Sequence, residues 1–252
     1  MSDIAVRRYR VPVPSIPAAM SPLRIAHISD LHFRWWTPFL DRFQRRLARL
    51  DFDLLIMTGD FCEWPVNWRQ GAAMLRRFLE PFRAPLGHYA VPGNHDHRML
   101  AEQFDGAPVR FLRNESVQVG LNGSAIHLAG IDDGWRSVAD VPKALKDCRD
   151  GRTTLLLTHM PSAIHHLPEG VVDLVLSGHT HAGQWRLPWR GDVMVTDKVN
   201  AVHTHGLHRV GRRWLHVTSG VGASGPFRFR LNCPAEIALL TLVRERLGSE
   251  RI

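Results

Sequence analysis

Cysteine is scarce in this sequence. Cys62, Cys148 and Cys233 are the only three in 252 residues, and no Cys-x-x-Cys pair occurs. That argues against a disulfide framework and a thiolate zinc site, and it fits a reducing compartment. Long apolar runs are missing too: nothing approaches the roughly 18 residues that a membrane-spanning helix requires. The start, "MSDIAVRRYRVPVPSIPAAM", carries basic residues, but Pro12, Pro14 and Pro17 break the stretch after them. It therefore lacks the apolar core of a secretory signal. Internal repeats, low-complexity tracts and linkers rich in Gly, Ser or Pro are absent as well. These absences predict a cytoplasmic protein, or one peripheral to the inner membrane. They predict an extended arm over residues 1–21, one domain over 22–245 and a tail over 246–252.

The remaining composition suits a globular chain long enough to bury a proper core, with 44% hydrophobic and 22% charged residues. The 32 basic and 24 acidic residues give a net charge of +8. Such a balance favours anionic partners, whether acidic lipid, nucleic acid or a phosphorylated small molecule, without choosing among them.

The apolar pattern gives the organisation. "LRIAHIS" (23–29), "DLLIMT" (53–58) and "GHYAVPG" (87–93) read as strands. Between them, "FLDRFQRRLARL" (39–50) and "WRQGAAMLRRFLEPF" (68–82) carry apolar residues at helical spacing. This β-α-β-α-β order implies parallel strands covered by helices. Next come "VRFLRN", "SVQVG" and "SAIHLAGI", split by turn residues, which predict antiparallel pairing. A polar helical segment is expected near 137–149. "TTLLLTH", "VVDLVLSGH", "RRWLHVTSG" and "EIALLTLV" supply further strands. The expected class is α/β, with two packed sheets and helices outside.

Five of these strands end in residues of metal-ligand type. The ends read Asp30-Leu31-His32, Gly59-Asp60, Gly93-Asn94-His95-Asp96, His159, and Gly178-His179-Thr180-His181. Carboxyl ends of parallel strands share one edge of a sheet, where sites are built, so the five loops can converge. Alternation along a strand would let Asp30 and His32, and likewise His179 and His181, reach one ion. Carboxylates, imidazoles and an amide oxygen suit Mn, Zn or Fe. Seven candidates, Asp30, His32, Asp60, Asn94, His159, His179 and His181, are too many for one ion. They suit two divalent ions sharing a carboxylate, an arrangement typical of phosphatases and nucleases.

Together these five motifs resemble those of the calcineurin-like metallophosphoesterases, over roughly residues 24–242. The resemblance implies a four-layer α/β/β/α fold and a dinuclear centre. One ion would take Asp30, His32, Asp60 and His181, and the other Asp60, Asn94, His159 and His179, with Asp60 bridging. It implies hydrolysis of a phosphodiester or pyrophosphate by a hydroxide held between the ions. His95 would face the substrate as stabiliser or acid, oriented by Asp96, while Gly93 allows the tight turn. His97 has no assigned role and is read as facing solvent.

The stretch "LSGHTHAGQW" resembles a bacterial phosphodiesterase branch of this family, with Ala182 where Gly is usual. Some relatives there cleave the pyrophosphate of UDP-2,3-diacylglucosamine. A small or lipid-linked phosphate is therefore the expected substrate. A nuclease, a cyclic-nucleotide phosphodiesterase and a metal-binding scaffold without turnover are the alternatives. Trp35, Trp36, Trp64, Trp68, Trp185 and Trp189 come after the metal motifs in sequence, alongside Arg34, Arg186 and Arg190. They could contact an acyl chain or a membrane interface, stack on bases, or simply pack.

Overall fold

The computed structural model describes residues 3–63, 66–96, 108–121, 123–133, 139–187, 189, 191–192, 203–225 and 228–245. His97, Trp64, Arg190 and the expected tail over 246–252 lie outside the described residues.

Two six-stranded sheets form the centre. The expected β-α-β-α-β run appears as β2 (Leu23–Ile28), α1 (Pro38–Leu47), β3 (Leu54–Met57), α2 (Trp68–Leu79) and β4 (His88–Ala90). The three strands are parallel neighbours, Ile25 opposite Leu54 and Leu55 opposite His88. Both helices begin where the local chemistry dictates. The Thr37 side chain accepts the Leu40 N–H at 3.2 Å, with Pro38 just inside the helix. Asn67 and Gln70 form a reciprocal capping box.

Within the segment expected to be an extended arm, Ile4–Pro12 is a strand of the first sheet and Ala18–Met20 a short 3-10 turn. β1 (Ile4–Pro12) runs parallel to the last strand, β14 (Ala235–Val243), which itself lies antiparallel to β2. The first sheet therefore runs β1-β14-β2-β3-β4-β5, with β5 reduced to Arg110–Phe111. The second sheet contains β6 (Glu115–Leu121), β7 (Ser124–Gly130), β8 (Thr154–Leu157), β9 (Leu174–Ser177), β12 (Gly206–Val210) and β13 (Arg213–Val217), in the order β12-β13-β9-β8-β7-β6. A small antiparallel pair, β10 (Arg186–Leu187) with β11 (Gly191–Asp192), stands apart. The β6–β7 pair is antiparallel, as its turn residues predict, while β7, β8, β9 and β13 run parallel. Of the helical segment expected near 137–149, only Val141–Ala144 is a helix among the described residues.

The period-two alternation of the strands separates the layers. Ile25, Leu54 and Ile56 face Leu155, Leu157, Leu174 and Leu176 across the inter-sheet core. Ala26, Ile28, Leu55 and Met57 point the other way, onto Phe43, Leu47, Leu75 and Phe78 of the two helices. Burying one such side chain contributes on the order of 1.5–3 kcal/mol. On the far side, Leu156, Val175, Leu215 and Val217 lie against Ala144, Leu145, Ile164 and Leu167. The result is the expected four-layer arrangement.

Candidate metal centre and active site

The loops after β2, β3 and β4 leave one edge of the first sheet, and those after β8 and β9 leave the second sheet to meet them. The ladder continues a little past the strands: Asp30 N–H donates to Gly59 O at 2.9 Å, and His32 N–H to Asp60 O at 3.0 Å. Asp30, His32, Asp60, His159, His179 and His181 are all buried.

One expectation about these loops is corrected. Asp30-x-His32 and His179-x-His181 do not share an ion by strand alternation, because β2 ends at Ile28 and β9 at Ser177. Five candidate ligands instead adopt left-handed backbone: Asp30 at φ 55°, His32 at 45°, Asp60 at 54°, His179 at 70° and His181 at 51°. Each such residue costs of order 1–3 kcal/mol, and such costs concentrate at functional sites. The backbone turns inward at these positions and carries the side chain to a common centre.

Two foci result. In the first, Asp30, His32, Asp60 and His181 each bring a donor atom within 4.8 Å of the others. His32 Nε2 lies 3.1 Å from His181 Nε2, and His181 Nε2 lies 3.4 Å from Asp30 Oδ1. In the second, His159 Nε2 lies 3.0 Å from Asn94 Oδ1 and 3.2 Å from His179 Nδ1. Asp60 Oδ2 belongs to both, 3.6 Å from His32 Nε2 and 3.3 Å from His159 Nε2. Imidazole nitrogens converging this closely suit a shared cation. His159 donates Nδ1–H to Thr58 O at 2.6 Å, which leaves Nε2 as the nitrogen directed at the focus. The cluster can therefore bind divalent metal.

The electrostatics come from burial and proximity. Burial opposes ionisation of Asp60, but His159, His32 and His95 outweigh it and hold the carboxyl far below the usual range. Burial also opposes charging of His159, and there the Asp60 carboxylate prevails, pushing the imidazole up to about 10. Asp30 is raised, by burial first and then by the negative charge of Asp60. Burial and the neighbouring His32 depress His181.

The partner expected for His95 is also corrected. Asp96 does not orient that ring. Its Oδ1 accepts the Phe61 N–H at 2.8 Å and the Cys62 N–H at 3.3 Å, and its Oδ2 accepts the Gly93 N–H at 2.8 Å. Asp96 is thus a tie between the second and third loops. Burial, with Asp60 nearby, raises its carboxyl to about 7. The residue that holds His95 is Glu63, which the sequence pattern did not single out. Glu63 Oε1 lies 3.1 Å from His95 Nδ1, and its Oε2 lies 3.3 Å from His32 Nδ1. The hydrogen bond to Glu63 raises the His95 pKa against the effect of burial. Glu63 stands three residues past Asp60 on the same loop, and that spacing was the only signal available.

Gly93 also has a different reason from the expected turn. A Cβ there would meet Asp60 Oδ1 at 2.3 Å, so the glycine permits close approach, and its φ is not positive. Gly178 plays the same part beside the first loop, where a Cβ would lie 2.0 Å from Ser29 Oγ and 2.6 Å from Asp30 Oδ2.

A cavity of about 150 Å³ opens over the cluster, lined by Asp60, Asn94, His95, His179, Gln184 and Ser224 among others. His95, partly exposed, stands at this cavity with Nδ1 already engaged, so Nε2 is its free ring nitrogen.

The comparisons with known proteins agree with this geometry. The family model for calcineurin-like phosphoesterases matches residues 23–183. The UDP-2,3-diacylglucosamine pyrophosphatase LpxG of Chlamydia trachomatis is 30% identical, over 96% of this chain and 90% of its own. The metallophosphoesterase YkuE of Bacillus subtilis is 31% identical, over 90% and 81%. The phosphodiesterase YaeI of Escherichia coli is 28% identical, over 88% and 83%. Among solved structures, TT1561 of Thermus thermophilus shares the fold with a TM-score of 0.51, at 16% identity over 78% of this chain and 89% of that one. This chain belongs to the calcineurin-like phosphoesterase family, and it is a phosphohydrolase whose buried Asp/His cluster can bind metal. Among the described residues, no helix is long and apolar enough to cross a membrane.

Proposed function

We propose that this chain hydrolyses a phosphodiester or pyrophosphate bond with two divalent ions, Mn, Zn or Fe, and that its substrate is a UDP-linked lipid. Residues 22–245 would be the catalytic unit, working on the cytoplasmic side as a peripheral protein. One observation carries the two-ion reading: Asp60 Oδ2 lies within 3.6 Å of imidazoles from both foci. A carboxylate so placed fits a bridge, with Asp30, His32 and His181 on one side and Asn94, His159 and His179 on the other. Bound there, such ions would neutralise phosphoryl charge and could lower the pKa of a water from 15.7 to about 7.

The protein's own residues do the rest. Glu63 fixes the His95 ring and favours its cation, so Nε2 can carry a proton toward the cavity. Set beside the leaving oxygen, that proton would neutralise the charge that forms as the ester bond breaks, an effect typically worth 10²–10⁴-fold. Asp96 and Gly93 keep the His95 loop against Asp60, where the His95 N–H donates to Asp60 Oδ1 at 2.8 Å. The lipid part of the reading is supported by the LpxG likeness over most of both chains.

The test is a substrate panel with Mn-loaded protein: the UDP-lipid, a cyclic nucleotide, and single- and double-stranded DNA. Release of UMP with intact DNA is the expected result. Rapid DNA cleavage with the UDP-lipid untouched contradicts the lipid assignment.

A further inference from the structure

A second, larger cavity lies beside the metal centre. It has a volume of about 340 Å³, within the ~300–1,000 Å³ range of small-molecule sites. The loop after β2 and the start of α1 form one wall, and residues 221–223 and 228–230 form the other. Leu31, Trp35, Phe39, Leu40, Val221 and Phe229 make the lining mostly apolar.

Three features give this cavity a direction. Its lining includes His32, a candidate ligand, and Ala223, next in the chain to Ser224 of the smaller cavity over the cluster, so the two cavities adjoin. Two of its apolar side chains are large and open to solvent, Trp35 at 64% and Phe229 at 53% exposed, and Leu231 beyond them is 40% exposed. The Phe229 ring is held in place by Trp185, stacked at 5.0 Å. Exposed apolar groups of this size, gathered around a concavity, mark a binding surface. Finally, its charge is of one sign. Arg34, Arg228 and Arg230 line the cavity, and no acidic side chain does among the described residues. Arg230 is anchored, with Nε donating to Gly222 O at 2.6 Å and a terminal nitrogen 3.2 Å from His181 Nδ1.

An apolar cavity with arginines in its walls and the candidate metal cluster beside it fits an amphiphile with a phosphate head and a hydrocarbon tail. We propose that this cavity holds an acyl chain of the phosphate substrate, with Trp35 and Phe229 as its outer clasp and the arginines beside the head. The proposal rests on the phosphoesterase reading above and adds to it the place where the tail lies. A concave cavity beside the reaction centre favours a single chain over a flat membrane contact.

Equilibrium binding separates this proposal from the catalytic one. Alkyl phosphates of two to twelve carbons are titrated into the metal-loaded protein by calorimetry, below their micelle concentrations. Turnover of bis-p-nitrophenyl phosphate is measured separately. The expected result is an affinity that climbs with chain length, by up to about fourfold per methylene, until the trough is filled. Trp35→Ala and Phe229→Ser, at exposed positions, should each flatten that climb and leave turnover of the small diester within about twofold. Affinity independent of chain length overturns the proposal, whether or not the small diester is hydrolysed. So does a pattern in which Trp35→Ala abolishes binding to anionic vesicles, or to single-stranded DNA, and leaves the chain-length dependence intact. The first would make the trough a membrane contact and the second a base-stacking surface.

Discussion

Glu63 Oε1 lies 3.1 Å from His95 Nδ1, and the other oxygen of the same carboxylate lies 3.3 Å from His32 Nδ1. One buried side chain thus braces both the candidate acid and a candidate metal ligand, and the Ser224 hydroxyl fixes it further by donating to Oε2 at 3.1 Å. Glu63→Gln should lower turnover by roughly 10–100-fold, as changes to such outer partners usually do. The pH profile gives a sharper check. Glu63 raises the His95 pKa, so the cation persists to higher pH and is lost as pH rises through that value. In Glu63→Gln the alkaline limb of the kcat profile should move to lower pH. An unmoved limb would mean that Glu63 acts only as packing.

Metal content distinguishes ligands from the acid. Asp60→Ala should lose both ions, since it removes the shared oxygen. His95→Ala should keep both and lose most turnover. Elemental analysis of the two purified variants decides the matter, and a His95→Ala protein short of one equivalent would reverse the assignment.

Loading metal should release protons. The His159 imidazole is pushed up to about 10 by Asp60, so in chelated protein it holds its proton at pH 8. A metal ligand must be neutral imidazole, so an incoming ion displaces that proton. Calorimetry at pH 8 in buffers of different ionisation enthalpy should show about one proton released for the ion bound by His159. Metal affinity should rise with pH until about 10. Binding without proton release would place His159 outside the ligand set.

Asp96→Asn tests the corrected role of that residue. The carboxylate accepts three backbone N–H groups from two loops. An amide has one acceptor oxygen, and its NH₂ would face a backbone donor, which costs roughly 1–3 kcal/mol. The urea midpoint should fall accordingly in the metal-free protein. A fall in kcat with unchanged stability would restore Asp96 as the partner of His95.

The extent to which sequence revealed this molecule depended on range. Local signals were reliable: apolar runs marked β2, β3, β4, β8 and β9, and each ended in a residue that the fold brings to the cluster. Neighbourhood in the chain was a poor guide to neighbourhood in space. Asp96 comes directly after His95, yet the turn sends its carboxylate back to Gly93 and Phe61 while His95 reaches Glu63 on another loop. The left-handed backbone at Asp30, His32, Asp60, His179 and His181 left no mark in composition, because Asp and His adopt that region at only a small share of their positions and the local sequence does not say which. Strand pairing was equally silent. Nothing within "IAVRRYRVP" signals that it pairs parallel to a strand more than 220 residues later.

The central claim is a phosphoesterase that needs two ions. Its most direct test is turnover of bis-p-nitrophenyl phosphate by chelated protein as Mn is added back, with bound metal measured on the same samples. Turnover should be negligible at zero equivalents and rise until it levels off at two bound ions per chain. Full turnover at one ion, or none at two in a protein that remains folded, would contradict it.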